Sequence, residues 1–154
     1  CVHTPADNHV ANYLQRIFDR RKPKRLNDAL NILKAIPEYT DALKVHAGPN
    51  ILIGEGKKKC GKVFVDMTGG TEGPKRIFSR LSQAGVGTIV AMHLSEEHFK
   101  QAKAEFINVI IAGHIASDTL GLNLLLNYLE KKEKIKIVPC SGFVRIKRYP
   151  ATQI

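Results

Sequence analysis

The stretch NVIIAGHIASDTLGLNLLL, residues 108–126, places a polar pair where one apolar run gives way to another. The short β-branched run before His114 is typical of a strand, and the longer apolar run after Asp118 is typical of a buried helix. Because the strand is apolar throughout rather than alternating, helices should cover both faces of its sheet. The stretch therefore predicts a strand followed by a helix, with His114 and Asp118 at the junction.

The same alternation of short and longer apolar patterns runs through residues 49–154, which we interpret as the sheet core. Helical runs of roughly 10–15 residues between strands indicate βαβ units and a mostly parallel sheet. Residues 1–48 carry apolar residues at helical spacing, and Pro37 should end the second helix there. The predicted fold is α/β, a mostly parallel sheet with helices on both faces, preceded by a helical segment, in a single domain over residues 1–154. Strands are predicted at 50–54, 62–67, 87–93, 107–114 and 134–146, and helices between them at 72–84, 95–106 and 116–131.

The composition is that of a globular protein without a membrane segment. No apolar run approaches the length of about 18 residues that a membrane span needs. Cys1, Cys60 and Cys140 contain no C-x-x-C pair, which argues against a disulfide framework or a structural zinc site and predicts a cytoplasmic protein. The chain opens on CVHTPAD without an initiator Met, so we expect it to be the C-terminal portion of a longer chain.

The net charge is strongly positive, with 24 Lys and Arg against 14 Asp and Glu and a formal charge of +10. Such a charge attracts nucleotides, nucleic acid or anionic lipid without choosing among them. The basic residues cluster at 20–25, 56–62, 131–136 and 145–148, near predicted turns or termini. Nucleic acid is the less favoured partner, because these clusters lie in separate turns, without interleaved aromatic residues or a recognition helix.

Polar residues follow several predicted strands at the edge where ligands bind in parallel sheets, outside the carboxyl ends of the strands. The turn TGGTEGPK contains Gly69, Gly70 and Thr71, which are candidates for holding a phosphate or another anion. A tight strand-to-helix turn without a ligand explains the same glycines. His93 follows the next strand and is a candidate for the same anion or substrate.

His114 and Asp118 are the sharper candidates. Side chains at positions i and i+4 share a helical face, with roughly 5–6 Å between Cβ atoms, so both can reach one metal ion. The alternative is that Asp118 complements the helix dipole and His114 only fills the junction. A second set of imidazole and carboxylate groups, which together suit zinc, iron or manganese, stands in HTPADNH at His3, Asp7 and His9. The alternative is an ordinary histidine-rich surface loop.

Four segments resemble the Nif-three-like family, named for a factor that interacts with the yeast coactivator Ngg-one. They are HTPAD, MTGGTEGPKRIFSRLSQAGVGTIV, SEEHFKQAKAEFINVIIAGHIASDTLGLNLLLNYLE and IVPCSGF, and they extend from residue 1 to about residue 147. The sequences of these segments are most similar to those of archaeal or clostridial members. Members of the family are dinuclear-metal proteins, and some carry the name GTP cyclohydrolase one, type two. The resemblance implies a homo-oligomeric, metal-dependent hydrolase that acts on a small or nucleotide-like substrate.

The resemblance also implies the metal ligands. Asp7 matches the family's bridging aspartate, His114 its downstream histidine, and Asp118 stands in place of its glutamate. His3 matches a histidine four residues before the aspartate, and His93 stands where relatives have G-E. Such a site would hold two divalent ions of zinc, iron or manganese and activate water for hydrolysis.

The chain departs from the family in lacking the H-H-P motif that supplies two further ligands. Asp118 is also one methylene shorter than the family's glutamate. The metal site is therefore expected to be incomplete, or to be completed outside this chain. The alternative function is a regulatory or scaffold module, or a module that interacts with nucleic acid, with a vestigial metal site.

Overall fold

The computed structural model describes residues 3–68, 74 and 76–148, with only the backbone described at residues 3 and 4. Six helices and four strands lie in these ranges. Their bounds are α1 (His3–Arg21), α2 (Leu26–Lys34), α3 (Pro37–Leu43), β1 (Asn50–Ile53), β2 (Lys62–Asp66), α4 (Ile77–Gln83), β3 (Val86–Ala91), α5 (Glu96–Ala104), β4 (Asn108–Ile111) and α6 (His114–Glu130). Within the part of the chain that is described, no helix has both the length and the apolarity required to cross a bilayer.

The four strands form one sheet in the order β1-β4-β3-β2. Strands β2, β3 and β4 are parallel, whereas β1 pairs with β4 in the antiparallel direction at one edge. Asp66 stands opposite Ala91, and Ala91 stands opposite Ile111, so the carboxyl ends of the three parallel strands meet at one edge of the sheet. The predicted mostly parallel sheet is confirmed.

Helices cover both faces of the sheet, as predicted. Side chains alternate between the faces of a strand, so Ile89 packs in one hydrophobic cluster and Val90 in the other. The cluster around Val90 is formed with α1, α2, α3 and α6, and the cluster around Ile89 with α4 and α5. The helical segment at the start of the chain therefore completes one of the two layers that enclose the sheet.

The predicted last strand, at 134–146, is wrong. Residues 131–148 follow α6 as an irregular segment that contains no strand. Asn123 on α6 binds this segment through its side chain, donating to Val144 O at 3.0 Å and accepting from Ile146 N at 3.0 Å. The side-chain amide of Asn123 thus replaces part of the backbone hydrogen bonding that a paired strand would have. Pro139 within the run also removes a backbone donor that a paired strand needs.

Candidate functional site

The junction between β4 and α6 depends on Gly113. This glycine has a φ of 97°, in the left-handed region, and directly precedes the first residue of α6, His114. A Cβ atom added at Gly113 would lie 2.7 Å from the carbonyl oxygen of Ala47. Both the backbone conformation and the close approach require glycine here, and together they direct the chain from the strand into the helix.

His114 and Asp118 lie side by side on the first turns of α6. His114 Nε2 is 3.3 Å from Asp118 Oδ2, and the two side chains are 42% and 38% exposed. The other carboxylate oxygen of Asp118, Oδ1, is buried. The structure thus brings the two side chains together as their spacing predicts. At this exposure a histidine–aspartate ion pair contributes little to stability, so stability alone gives little reason for the pairing.

His93 joins the pair from the neighbouring strand. It lies two residues beyond the end of β3, and its ring stacks on that of His114 with 5.2 Å between centroids and 22° between ring planes. The contact follows from the parallel pairing of β3 and β4, which brings the ends of both strands to one edge. Two imidazoles and one carboxylate therefore stand together at the carboxyl edge of the sheet.

The other predicted ligands are placed differently. Asp7 lies on α1, half-buried, with Oδ1 buried. Helix α1 passes close to α6 where the carbonyl of Ala6 faces Gly121, less than one turn beyond Asp118, and a Cβ atom at Gly121 would lie 2.6 Å from that oxygen. The side chain of His3 and the predicted anion-binding residues Gly69, Gly70 and Thr71 lie outside the described residues.

The residues gathered here have the chemistry of metal ligands, but they are too few to hold a metal ion by themselves. Imidazole nitrogen with carboxylate oxygen suits zinc, iron or manganese. A protein metal site of this kind takes at least three protein ligands. Among the residues that the structure describes, no group of three or more His, Cys, Asp and Glu side chains is placed to hold an ion. Among the described residues, the His114–Asp118 pair therefore does not form a complete metal site.

A buried hydroxyl pair beneath the site was missed by the sequence analysis. Tyr39 is fully buried, and its OH lies 2.9 Å from Ser117 Oγ. Ser117 Oγ donates its proton to the carbonyl of Gly113 at 2.6 Å, so Tyr39 must be the donor to Ser117. Burial raises the pKa of Tyr39 far above its ordinary range, which keeps this donor protonated. The chain Tyr39–Ser117–Gly113 fixes the first turn of α6.

A small cavity lies beside His93 at the same edge. Its volume is about 180 Å³, below the roughly 300 Å³ of a pocket for a drug-sized ligand. Its polar lining comes from Asp66, Thr68, His93 and His98, and much of the rest is apolar. Asp66 ends β2 and accepts bonds from Thr68 N at 3.1 Å and Thr68 Oγ1 at 2.6 Å. The sequence could have identified Asp66 as a residue of this edge, because it is the last residue of a parallel strand.

No protein-family model matches the chain, and no curated protein matches it. Its structure is similar to the crystal structure of a NIF3 superfamily protein from Sphaerobacter thermophilus, with a TM-score of 0.61 and 24% sequence identity. The similarity covers 82% of this chain and 46% of that chain, so this chain spans about half the length of the solved protein. At this identity the likeness shows the fold, and that fold agrees with the resemblance of the sequence to the Nif-three-like family.

Proposed function

We propose that the chain is a Nif-three-like protein in which His114 and Asp118 are ligands of a divalent metal site. The observation that carries this proposal is the 3.3 Å approach of His114 Nε2 to Asp118 Oδ2 at the carboxyl edge of the sheet. The His93 ring supports it, because its stacking on the His114 ring, with 5.2 Å between centroids, puts a second imidazole beside the pair. The motif resemblance supports the same two residues.

Further ligands must complete this site, because the pair alone is too few. Asp7 is the first candidate, since α1 packs on α6 with the carbonyl of Ala6 against Gly121, less than one turn from Asp118. His3 is the second through its match to the family motif. A second copy of the chain is another source of ligands, in keeping with the expected homo-oligomer. The ions proposed are zinc, iron or manganese, two in the complete site.

The proposed activity is metal-dependent hydrolysis of a small or nucleotide-like substrate by a cytoplasmic enzyme. A bound divalent ion would supply its ordinary chemistry here, lowering the pKa of a water molecule and polarising the substrate. The role proposed for Gly69, Gly70 and Thr71 is to bind an anionic group of that substrate. His93 is placed to contact it, because it lines the cavity beside the pair.

Metal content tests the ligand assignment. Chain purified without a histidine tag and reconstituted with zinc, iron(II) or manganese should retain metal, measured per chain by mass spectrometry. Asp118→Asn and His114→Ala should each lose it. Asp41→Asn is the matched control. Asp41 is a similarly exposed carboxylate on α3, away from α6, and it pairs with Lys44 three residues later. Full metal content in the Asp118→Asn and His114→Ala variants would show that the pair is not a ligand pair.

The second candidate function is a regulatory or scaffold module with an incomplete metal site. The described residues favour it in one respect, since no group of three ligands is found among them. It predicts a folded chain that retains none of the three metals after reconstitution, with circular dichroism spectra unchanged by the Asp118→Asn substitution.

A further inference from the structure

A wide, open groove lies at the far end of α6, where the irregular segment after the helix folds back along it. The groove has a volume of about 780 Å³. Two carboxylates line it, Glu130 and Glu133, against six cations, which are Lys131, Lys134, Lys136, Arg145, Lys147 and Arg148. Two basic clusters that are separate in the sequence, 131–136 and 145–148, thus face one groove.

The two arginines fasten the segment to the rest of the molecule. The side chain of Arg145 is 7% exposed and donates to Glu130 at 2.6 Å and to Asn127 at 2.5 Å. Arg148 donates two bonds to the buried carboxylate of Glu38 on α3. These two guanidinium groups hold the groove wall in place, and they leave the lysines as the cations that face solvent.

Four lysines make the surface of the groove positive. Lys131, Lys134 and Lys136 are exposed, and Lys147 is 56% exposed at 3.4 Å from Glu130. Glu130 accepts from Arg145 through Oε2, and its Oε1 lies 3.4 Å from Lys147 Nζ, so Glu130 offsets part of the charge of Lys147 and not that of the other three lysines. An open groove lined by several exposed cations attracts a ligand that carries several anions along its length.

We propose that this groove binds single-stranded nucleic acid through its phosphate backbone. The separation of the basic clusters in the sequence argued against such a partner, and the fold removes that objection by bringing two of them together. None of the described residues that line the groove is aromatic. Since base stacking needs aromatic rings, binding here should be electrostatic and independent of sequence. An extended strand suits an open groove better than a compact nucleotide does.

The groove is distinct from the proposed metal site. Glu130 and His114 are the two ends of α6, a helix of 17 residues. At 1.5 Å per residue the ends of the helix are about 24 Å apart. Failure of one proposal therefore leaves the other standing.

Two charge-reversal variants of the full chain test the proposal. The groove variant is Lys134→Glu/Lys136→Glu, and its matched control is Lys57→Glu/Lys58→Glu, in the exposed basic cluster before β2. Each lowers the formal charge from +10 to +6. The probe is a fluorescein-labelled oligothymidylate of about 20 nucleotides, longer than the roughly 4–16 nucleotides that a single-strand binding fold occupies. Affinity is measured by fluorescence anisotropy, and circular dichroism melting verifies that both variants fold.

Four lysine–phosphate contacts should give a slope of about −2.8 for log affinity against log salt, or about a 50-fold loss between roughly 50 and 200 mM salt. The groove variant should bind at least about tenfold more weakly with a slope near −1.4, because two of the four contacts are lost. The control should stay within about threefold of the unmodified chain. Equal weakening in both variants, a flat salt response, or binding of tripolyphosphate without binding of the oligonucleotide would overturn the proposal.

Discussion

At the scale of single residues, two side-chain contacts lie at the start of α6, one between successive turns of the helix and one between α6 and α3. His114 and Asp118 meet because positions four apart share a helical face, and this spacing can be read directly from the sequence. Ser117 and Tyr39 meet across 78 positions, because α3 packs on α6. No periodic pattern links those two residues, so the hydroxyl pair under the first turn of α6 could be found only from the fold.

Removing either hydroxyl should have unequal costs. Ser117→Ala leaves the buried Tyr39 OH without its acceptor and should lower the free energy of unfolding by about 1–3 kcal/mol. Tyr39→Phe removes a donor and leaves the Ser117 bond to Gly113 in place, so its cost should be about 0.5–1.5 kcal/mol.

Urea denaturation of the two single variants and the double variant measures these costs. In the double variant, Tyr39→Phe should recover part of the loss caused by Ser117→Ala. Simple additivity of the two costs would mean that the hydroxyl pair is not coupled.

At the scale of elements, the sequence predicted the regular parts of the fold and failed where side chains replace backbone pairing. The apolar run of β4 and the helical run of α6 are recognisable from their periods. Helix α2 ends at Lys34, before Pro37 as predicted, and Pro37 begins α3, because proline is well tolerated in the first turn of a helix. The run at 134–146 alternates like a strand, yet its backbone is bound by Asn123, and nothing in the run itself predicts that partner.

Asn123 should therefore control the order of the irregular segment. Its buried side chain binds Val144, Ile146 and the carboxylate of Glu38, so Asn123→Ala removes the amide that attaches the segment to α6. We expect trypsin to cleave residues 131–148 at least about tenfold faster in this variant, since local opening frees the backbone beside the lysines and arginines there to enter the protease.

Asn31→Ala, on the exposed face of α2, is the matched control and should be cleaved at the rate of the unmodified chain. Cleavage sites are assigned by mass spectrometry of the first fragments. An unchanged rate in Asn123→Ala would assign the docking to the two arginines alone.

At the scale of the whole molecule, the sheet and its two helical layers follow from the alternation of strand and helix, and this class was predicted correctly. The antiparallel β1 at one edge and the return of residues 131–148 along α6 depend on contacts between distant segments. One helix, α6, consequently connects two chemically different places. Its first two turns carry the histidine–aspartate pair, and its last turn anchors the cationic groove through Glu130.

The anchoring of the groove should depend on pH through Glu130. The hydrogen bond from Arg145 holds the pKa of Glu130 below its ordinary value of 4.5, with Lys147 adding to the effect and partial burial opposing it. The carboxylate therefore stabilises the folded chain fully above pH 4.5, and this contribution is lost as pH falls through the lower folded pKa.

Glu130→Gln should melt at a lower temperature than the unmodified chain near neutral pH, and the difference should shrink toward zero in acid. Glu133→Gln, on the same groove wall, should melt like the unmodified chain at neutral pH. A melting difference for Glu130→Gln that persists unchanged to pH values well below 4.5 would show that the carboxylate charge does not hold the segment, and that packing of the side chain does.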